Sequence, residues 1–572
     1  MSLIPDAVSA PELLVQGIEY RSQQDDAAAL LAFTQAIDLD PNFTMAYFQR
    51  GLLYFEQENY EAAKSDFSTV IQDDPQNAAA LRYRIRCTLA LNQSISTAKD
   101  ISVLKSIAPM DIQTFLLSGN YYNQIKQYNA AIGNYTAVIH MQSDHLEART
   151  ARAEAYVNSG QLGNAQEDIS FVLEKDSTNE KALSLQGDIY YSQQQYTKAL
   201  DTWQEGKNIS GNSIELATSI GKAYFNMTEY SLAIQSWTEA LSMDPTQTSL
   251  YVMRAKAYAQ LSDTTNALAD LQKANQYQPN NAEILGDLGL LNQQMGDTEQ
   301  ALVNYSKAIE QVSENAVLYF RRGNAYRLLE QFPEAIQDYN KSIEIDPENS
   351  DYYNNRGIAY MNSGDFESAQ NDFQSAIELN PDYVLALVNS SMIYIETNQA
   401  ELAVTQLDHV MELTTQYVIT YDLRAQANYM LEKYDLAIQD WQTYLSVNPD
   451  SAVTYDWIGR AYIGMKKYDP ALEMLETALS LDPGLGDAYY QKGLAYIEKH
   501  EYKNAIPLLE KSVELQANID LSYYNLGVAY NNTGDINKAI EYFTLVLQTT
   551  QNPELTQFTL SNLSGLGITV ER

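Results

Sequence analysis

Residues 316–347 read AVLYFRRGNAYRLLEQFPEAIQDYNKSIEIDP, and their apolar residues fall in two blocks at spacings of three and four. That spacing puts side chains on one face of an α-helix, so each block predicts an amphipathic helix. The first runs from Leu318-Tyr319 to Leu329, Phe332 follows a turn, and the second runs from Ala335 to Ile345. Asp346-Pro347 then stops it, because Pro cannot continue a helix and disfavours helical geometry in the residue before it. Gly323 in the first helix is expected to meet Ala335 in the second, since two helix axes approach closely only where side chains are small.

Outward from this unit the pattern recurs every 34 residues in both directions. Stepping from Gly17 to Gly527 gives eleven Gly, three Ala, Ser391 and the one large exception, Ile85. Three residues further on, Tyr occurs in thirteen of sixteen units, and twelve further on Ala occurs in fifteen, Thr97 being the exception. Nine units carry Pro at the same place, and no insertion breaks the register. Such self-similarity means a stacked array rather than the three or four separate domains that 572 residues ordinarily suggest.

Numbered from Ala10, each unit has a small residue at position 8, Tyr at 11, Ala at 20, an aromatic or aliphatic at 24 and Pro at 32. This pattern resembles the tetratricopeptide repeat family. The resemblance implies an all-α fold, an α-solenoid in which sixteen 34-residue helix-turn-helix repeats wind into a right-handed superhelix. The array covers 10–553. Residues 1–9 are expected to form an arm and helix cap, with Ser9 and Glu12 placed as an N-cap pair. Residues 554–572 are expected to hold a capping helix and short tail, with Phe558 and Leu560 facing the last repeat.

Composition narrows the function. Lys plus Arg total 36 against 74 Asp plus Glu, a net charge of -38. Such a surface repels phosphate backbones, so nucleic acid and anionic membrane are poor partners. The single cysteine, Cys87, excludes an internal disulfide framework. Met1 to Asp6 lacks a secretory signal and no apolar run is long enough to span a bilayer, so a cytoplasmic location is the default expectation. A processed chain would be extracytoplasmic.

Aligning the units with one another separates packing from function. Of the 43 Tyr, 31 fall at positions 4, 11, 17 and 24 and are assigned to packing. Arg at position 7 and Asp at position 23 occur in the same seven units: Arg50 and Asp66, Arg84 and Asp100, Arg152 and Asp168, Arg254 and Asp270, Arg322 and Asp338, Arg356 and Asp372, Arg424 and Asp440. This joint occurrence predicts seven charge-assisted pairs between the two helices of a unit.

Catalytic chemistry finds little support. His140 and His145 flank Asp144, but a spacing of five does not place both on one helix face, and no metal is expected. There is no phosphate-binding glycine loop followed by Lys-Ser or Lys-Thr. The 28 residues outside the array are too few for a catalytic domain. No cofactor is expected, and the chain reads as a non-enzyme.

The working surface is expected on the first helices, where positions 2, 5, 9 and 12 form one stripe flanked by 6 and 13. By resemblance to the family this stripe lines a concave groove. In units four to nine it is mostly polar, with Asn120, Asn123, Glu154, Asp188, Lys222, Lys256 and Asp287. In units ten to sixteen it presents Phe320, Asn324, Arg327, Asn354, Asn355, Ile358, Asn389, Met392, Asp422, Tyr429, Trp457, Arg460, Asp487, Tyr490 and Tyr524. Residues 282–572 also carry 42 acids and only 17 bases. An apolar, acidic groove suits a basic, amphipathic segment of a partner protein. Packing of the same side chains against neighbouring helices is the competing account of them. The leading expectation is thus a scaffold or adaptor that binds proteins or peptides. The alternative is a structural protein that self-assembles into a homo-oligomer or filament, end to end through Leu14, Ile18, Phe558 and Leu563 or by lateral contacts between repeats.

Overall fold

The computed structural model describes residues 8–211 and 213–568, and over these the chain is a succession of thirty-three helices with no strand. Residues 1–7 of the expected arm, with the start that bears on a secretory signal, and 569–572 of the tail lie outside the described residues. Two compact units are formed, Met1–Pro279 and Asn280–Arg572. The first contains the helices from Ala10–Ser22 to Thr264–Tyr277, and the second those from Ala282–Gln294 to Pro553–Gly565. In each, consecutive helices pack as antiparallel neighbours, as short connections between helices require.

In the unit first quoted, the helices are Ala316–Leu328 and Phe332–Ile345. Both begin earlier than the apolar spacing alone indicates. Asn315 accepts a hydrogen bond from the Leu318 amide and so starts the first helix ahead of its apolar run. Pro333 sits within the first turn of the second, where the missing N–H has no intrahelical partner in any case.

The turn between the two helices is the same in all sixteen repeats. The amide of position 16 donates to the carbonyl of position 11, from Asp25 to Tyr20 through Asp535 to Tyr530. Position 15 between them has positive φ throughout, yet only Gly160, Gly296, Gly364 and Gly534 are glycine there. The other twelve, among them Thr228 at φ 61°, hold a conformation that costs an L-residue about 1–2 kcal/mol. Closure of this Schellman turn satisfies carbonyls at the helix end that would otherwise be left bare. Position 16 then caps the next helix wherever it is Asp or Asn, as Asp25 does for Ala28 and Asp365 for Ser368.

The close approach inside each hairpin differs from the expected glycine-to-alanine contact. A Cβ on Gly323 would meet Tyr339 at 2.8 Å, and one on Gly187 would meet Trp203 at 2.2 Å. Glycine therefore makes room for the large side chain at position 24, not for Ala at position 20. Those side chains form the middle of the core, with Phe33, Phe67, Tyr305, Tyr339, Phe373, Trp441 and Phe543 fully covered. Within each unit, repeats pass their apolar faces to the next, so the core is a series of adjoining clusters.

In all seven Arg/Asp units, Nε and Nη2 of the arginine donate to the two carboxylate oxygens at 2.6–2.9 Å. The third nitrogen, Nη1, reaches position 25 of the preceding repeat: Thr34 from Arg50, Ser306 from Arg322, Asn340 from Arg356, Asp408 from Arg424. One guanidinium thus ties three helices. The Asp338 carboxylate holds the Arg322 guanidinium more firmly protonated than usual, against the opposing effect of burial.

The last helix, Pro553–Gly565, is capped by Asn552, whose Oδ1 accepts from the amides of Glu554 and Leu555. It buries Leu555, Thr559 and Leu563, whereas Phe558 is 58% exposed. Phe558 therefore does not face the last repeat. Leu563, expected on an open terminal face, is covered, because it lies four residues from Thr559 on the inward side.

Candidate functional site

The first helices of the Asn280–Arg572 unit place the expected groove residues in three settings. Some are part of the fold. Tyr490 and Asn354 are 7% and 2% exposed, so neighbouring helices cover them. Phe320 lies between Tyr352, with ring centroids 4.9 Å apart, and Tyr339, at 5.9 Å. Tyr524 packs on Phe543, and its hydroxyl accepts from Asn562 at 3.3 Å. Ile358 packs against the cluster of Phe373 and Ile393.

A second group forms a polar lattice along the stripe. The Tyr339 hydroxyl donates to Asn324 at 2.7 Å, and Asn389 Nδ2 donates to Asn354 Oδ1 at 3.0 Å. Asn355 donates to the Asp351 carbonyl, and Arg327 lies beside the Tyr339 hydroxyl. Asp422 accepts from Trp441 Nε1 and from Gln426, both at 2.9 Å. Burial pushes the carboxyls of Asp422 and Asp456 above their usual range, despite these partners.

The third setting is an aromatic stack closed by a cation. Trp457 lies on Trp441 at 6.0 Å with planes 20° apart, and Tyr429 meets its edge at 5.3 Å. The Arg460 guanidinium sits 4.7 Å from the Trp457 centroid. It donates to Asp456 at 2.7 Å and pairs with Asp487 at 3.3 Å.

Around these groups the surface is apolar and acidic. Position 2 of the seven repeats reads Val317, Asp351, Leu385, Ile419, Val453, Asp487, Leu521, and its five apolar side chains are 36–53% exposed. Met392, at position 9, is also exposed. The row follows the stripe expected at position 2, and Asp487 is the one of its seven members named among the expected groove residues.

In the Met1–Pro279 unit the polar stretch contains a feature that charge alone did not reveal. Tyr191, Phe225 and Trp237 line a cavity of about 160 Å³ with Met253, Asn226, Lys222 and Lys256 at its sides. Asn226 donates to the Tyr191 hydroxyl at 2.7 Å, and Trp237 Nε1 to the Thr218 carbonyl at 3.2 Å. Next to it Asp188 is raised to about 6 by burial and then by Glu215. His145 is a helix cap, its Nδ1 accepting from the Ala148 amide at 3.2 Å. No group of His, Cys, Asp and Glu among the described residues is placed to hold a metal, and no helix among them is long and apolar enough to cross a membrane.

Sequence comparisons agree with the repeat geometry. Profiles described as tetratricopeptide repeats match residues 14–78, 48–93, 150–208, 248–281, 282–311, 350–383, 452–485, 486–519 and 521–553, and one described as TPR repeat matches 323–364. Together they cover more than half of the chain. Hsp70-Hsp90 organizing protein 3 of Arabidopsis thaliana is 22% identical over 221 residues, 32% of this chain and 40% of that protein. A UDP-N-acetylglucosamine--peptide N-acetylglucosaminyltransferase of Giardia intestinalis is 37% identical over 104 residues, 18% of this chain and 7% of that protein. This chain therefore spans well under half the length of either. A solved structure of the APC/C hetero-tetramer Cut9-Hcn1 aligns over 85% of this chain and 96% of its own, at 15% identity and a TM-score of 0.38.

Proposed function

Because the chain belongs to the tetratricopeptide repeat family, we propose that it is a non-enzymatic scaffold that binds a basic, amphipathic segment of a partner protein on the first helices of repeats ten to sixteen. The observation that carries this reading is the row at position 2. Five apolar side chains stand exposed in a regular line, and the two repeats that interrupt it supply Asp351 and Asp487. An apolar row bordered by acids is complementary to a helix with apolar residues on one face and Lys or Arg beside them. Asp422 and Asp456, held above their usual range, would gain from a nearby positive charge.

The name of the Arabidopsis relative, an organizer of two other proteins, supports a binding role of this general kind. The transferase named for the Giardia relative is matched over too small a part of its length to support any chemistry here. The test uses the full chain and a pair of synthetic helical peptides with identical leucines, one flanked by lysines and one by glutamates. The lysine peptide should bind, more weakly as salt rises, and the double change Asp351→Lys with Asp487→Lys should abolish binding. Equal binding of the glutamate peptide, or binding untouched by the charge reversal, would remove this function from consideration.

Self-assembly is the second reading, favoured by Phe558 standing exposed on the last helix and by Val15 and Ile18 on the first. Molecular size measured across a concentration series distinguishes it. Growth that disappears in Phe558→Ser supports assembly, and a constant monomer excludes it.

A further inference from the structure

Tyrosine at position 11 has a definite place in the hairpin: its ring lies beside the arginine of position 7. The centroid is 5.8 Å from the guanidinium for Tyr54 on Arg50, 5.7 Å for Tyr156 on Arg152 and 5.9 Å for Tyr326 on Arg322. Two of the seven arginine repeats lack this ring, having Thr88 and Asn428 instead. The first fills the gap from within. Thr97 stands there in place of the usual alanine and donates to the Thr88 hydroxyl at 2.9 Å, both side chains being buried.

In the second, Ala437 is retained, so no second threonine answers Asn428. A cleft of about 360 Å³ remains, lined by Arg424, Asn428, Asp408 and Asp440, by Lys433 and Gln439, and by Val404 and Leu436 as its apolar members. Asn428 is 3% exposed, and its Oδ1 accepts no hydrogen bond. A buried acceptor left bare is costly, so this atom calls for a donor. Asp440 takes Nε and Nη2 of Arg424, and Asp408 takes Nη1 at 2.5 Å. These bonds occupy the edge of the guanidinium and leave its face available for stacking.

We propose that this cleft receives the side chain of a tyrosine presented by a partner protein. The ring would stand outward of the shorter Asn428 side chain, in the space that the outer part of the Tyr ring takes in the other repeats, beside Arg424, Val404 and Leu436 and with its hydroxyl end inward. Its hydroxyl would donate to Asn428 Oδ1. The volume lies within the range of pockets that take small ligands. The cleft uses positions 7, 11, 16, 19, 21, 22, 23 and 25, none of which belongs to the stripe of positions 2, 5, 9 and 12, so either site can fail without the other.

The test applies ligand-observed NMR to the full chain with 4-methylphenol, the side-chain analogue of tyrosine, and with toluene, the analogue of phenylalanine. The phenol should bind, about fivefold more tightly than toluene from the one added hydrogen bond. Asn428→Tyr should fill the cleft and abolish binding. Asn428→Ala keeps the cleft but removes the acceptor, so the preference over toluene should vanish, which holds the test open if the tyrosine variant does not fold. Acetyl-Gly-Tyr-Gly-amide should compete with the phenol, and the corresponding Phe peptide should not. No binding of the phenol to the wild type, equal binding of toluene, or binding that survives Asn428→Tyr would overturn the proposal. Binding of the phenol without competition by the tyrosine peptide would overturn a protein-borne ligand.

Discussion

Two glycines in one hairpin offer a controlled test of how the repeat is packed. Gly119 lies in helix Ile112–Gln124 and Gly133 in helix Tyr128–Met141. Replacing either by alanine gives the same gain of about 1 kcal/mol in helix propensity. The surroundings differ. A Cβ at Gly133 meets nothing within 4 Å, whereas one at Gly119 falls 2.4 Å from Tyr135 Cε1, about 1 Å inside ordinary contact. Tyr135 is 1% exposed, and its hydroxyl donates to Asn120 at 2.8 Å, so the ring cannot slide without loosening that bond. Overpacking costs about 1–3 kcal/mol and the weakened bond about 1 kcal/mol. After the gain in propensity, Gly119→Ala should destabilise this hairpin by about 2 kcal/mol, and Gly133→Ala should stabilise it by about 0.5–1 kcal/mol. Amide hydrogen exchange over 112–141 reads local opening and avoids the multistate unfolding of a long array. Exchange should be about thirtyfold faster in Gly119→Ala and about threefold slower in Gly133→Ala. Exchange in Gly119→Ala equal to or slower than wild type would refute the argument that glycine here is set by the ring.

Arg322→Ala should cost about 3 kcal/mol, since it leaves the Asp338 carboxylate, 4% exposed, without its two bonds. A double-mutant cycle with Asp338→Ala should return a coupling of about 1.5 kcal/mol or more, and no coupling would show the pair to be incidental. Asp188 is raised from 3.8 to about 6, so its contribution to stability is fully present below the unfolded value and is lost as pH rises through about 6. Asp188→Asn should therefore match the wild type at about pH 3.5 or below, exceed it increasingly between about pH 4 and 6, and keep a constant lead above about pH 7 in urea midpoints. A carboxyl NMR titration with its midpoint at or below 4 would contradict this.

The repeat was legible because a period of 34 survives any single substitution, and because Gly, Tyr, Ala and Pro each act through backbone or packing demands repeated sixteen times. The contacts across the hairpin were legible only in part. An offset of sixteen residues joins Arg50 to Asp66, and the same offset joins Gly17 to Phe33 and Arg50 back to Thr34. Joint occurrence at positions 7 and 23 was visible in the sequence; glycine opposite a ring was equally visible but was read as glycine opposite alanine. The bond from Arg to position 25 crosses between repeats, outside a comparison made unit by unit. Within the stripe, spacing shows which residues share a face but not how far the neighbouring helix covers them. Tyr490 and Met392 therefore look alike in sequence, while only the second is exposed.

The left-handed residue at position 15 carries a practical consequence. Its sixteen residues are all exposed, four being Gly and the other twelve drawn from Gln, Glu, Asn, Lys, Thr, Ser and His. Because the closing hydrogen bonds and the helix packing impose the backbone there, the identity of the side chain is nearly free. Each compact unit thus bears a ruler: outward-facing attachment points, one per repeat, at which probes, cross-linkers or affinity handles can be introduced singly or in pairs. Spectroscopic distances taken along such a ruler would report how the array flexes when a partner binds, without touching the residues that bind it.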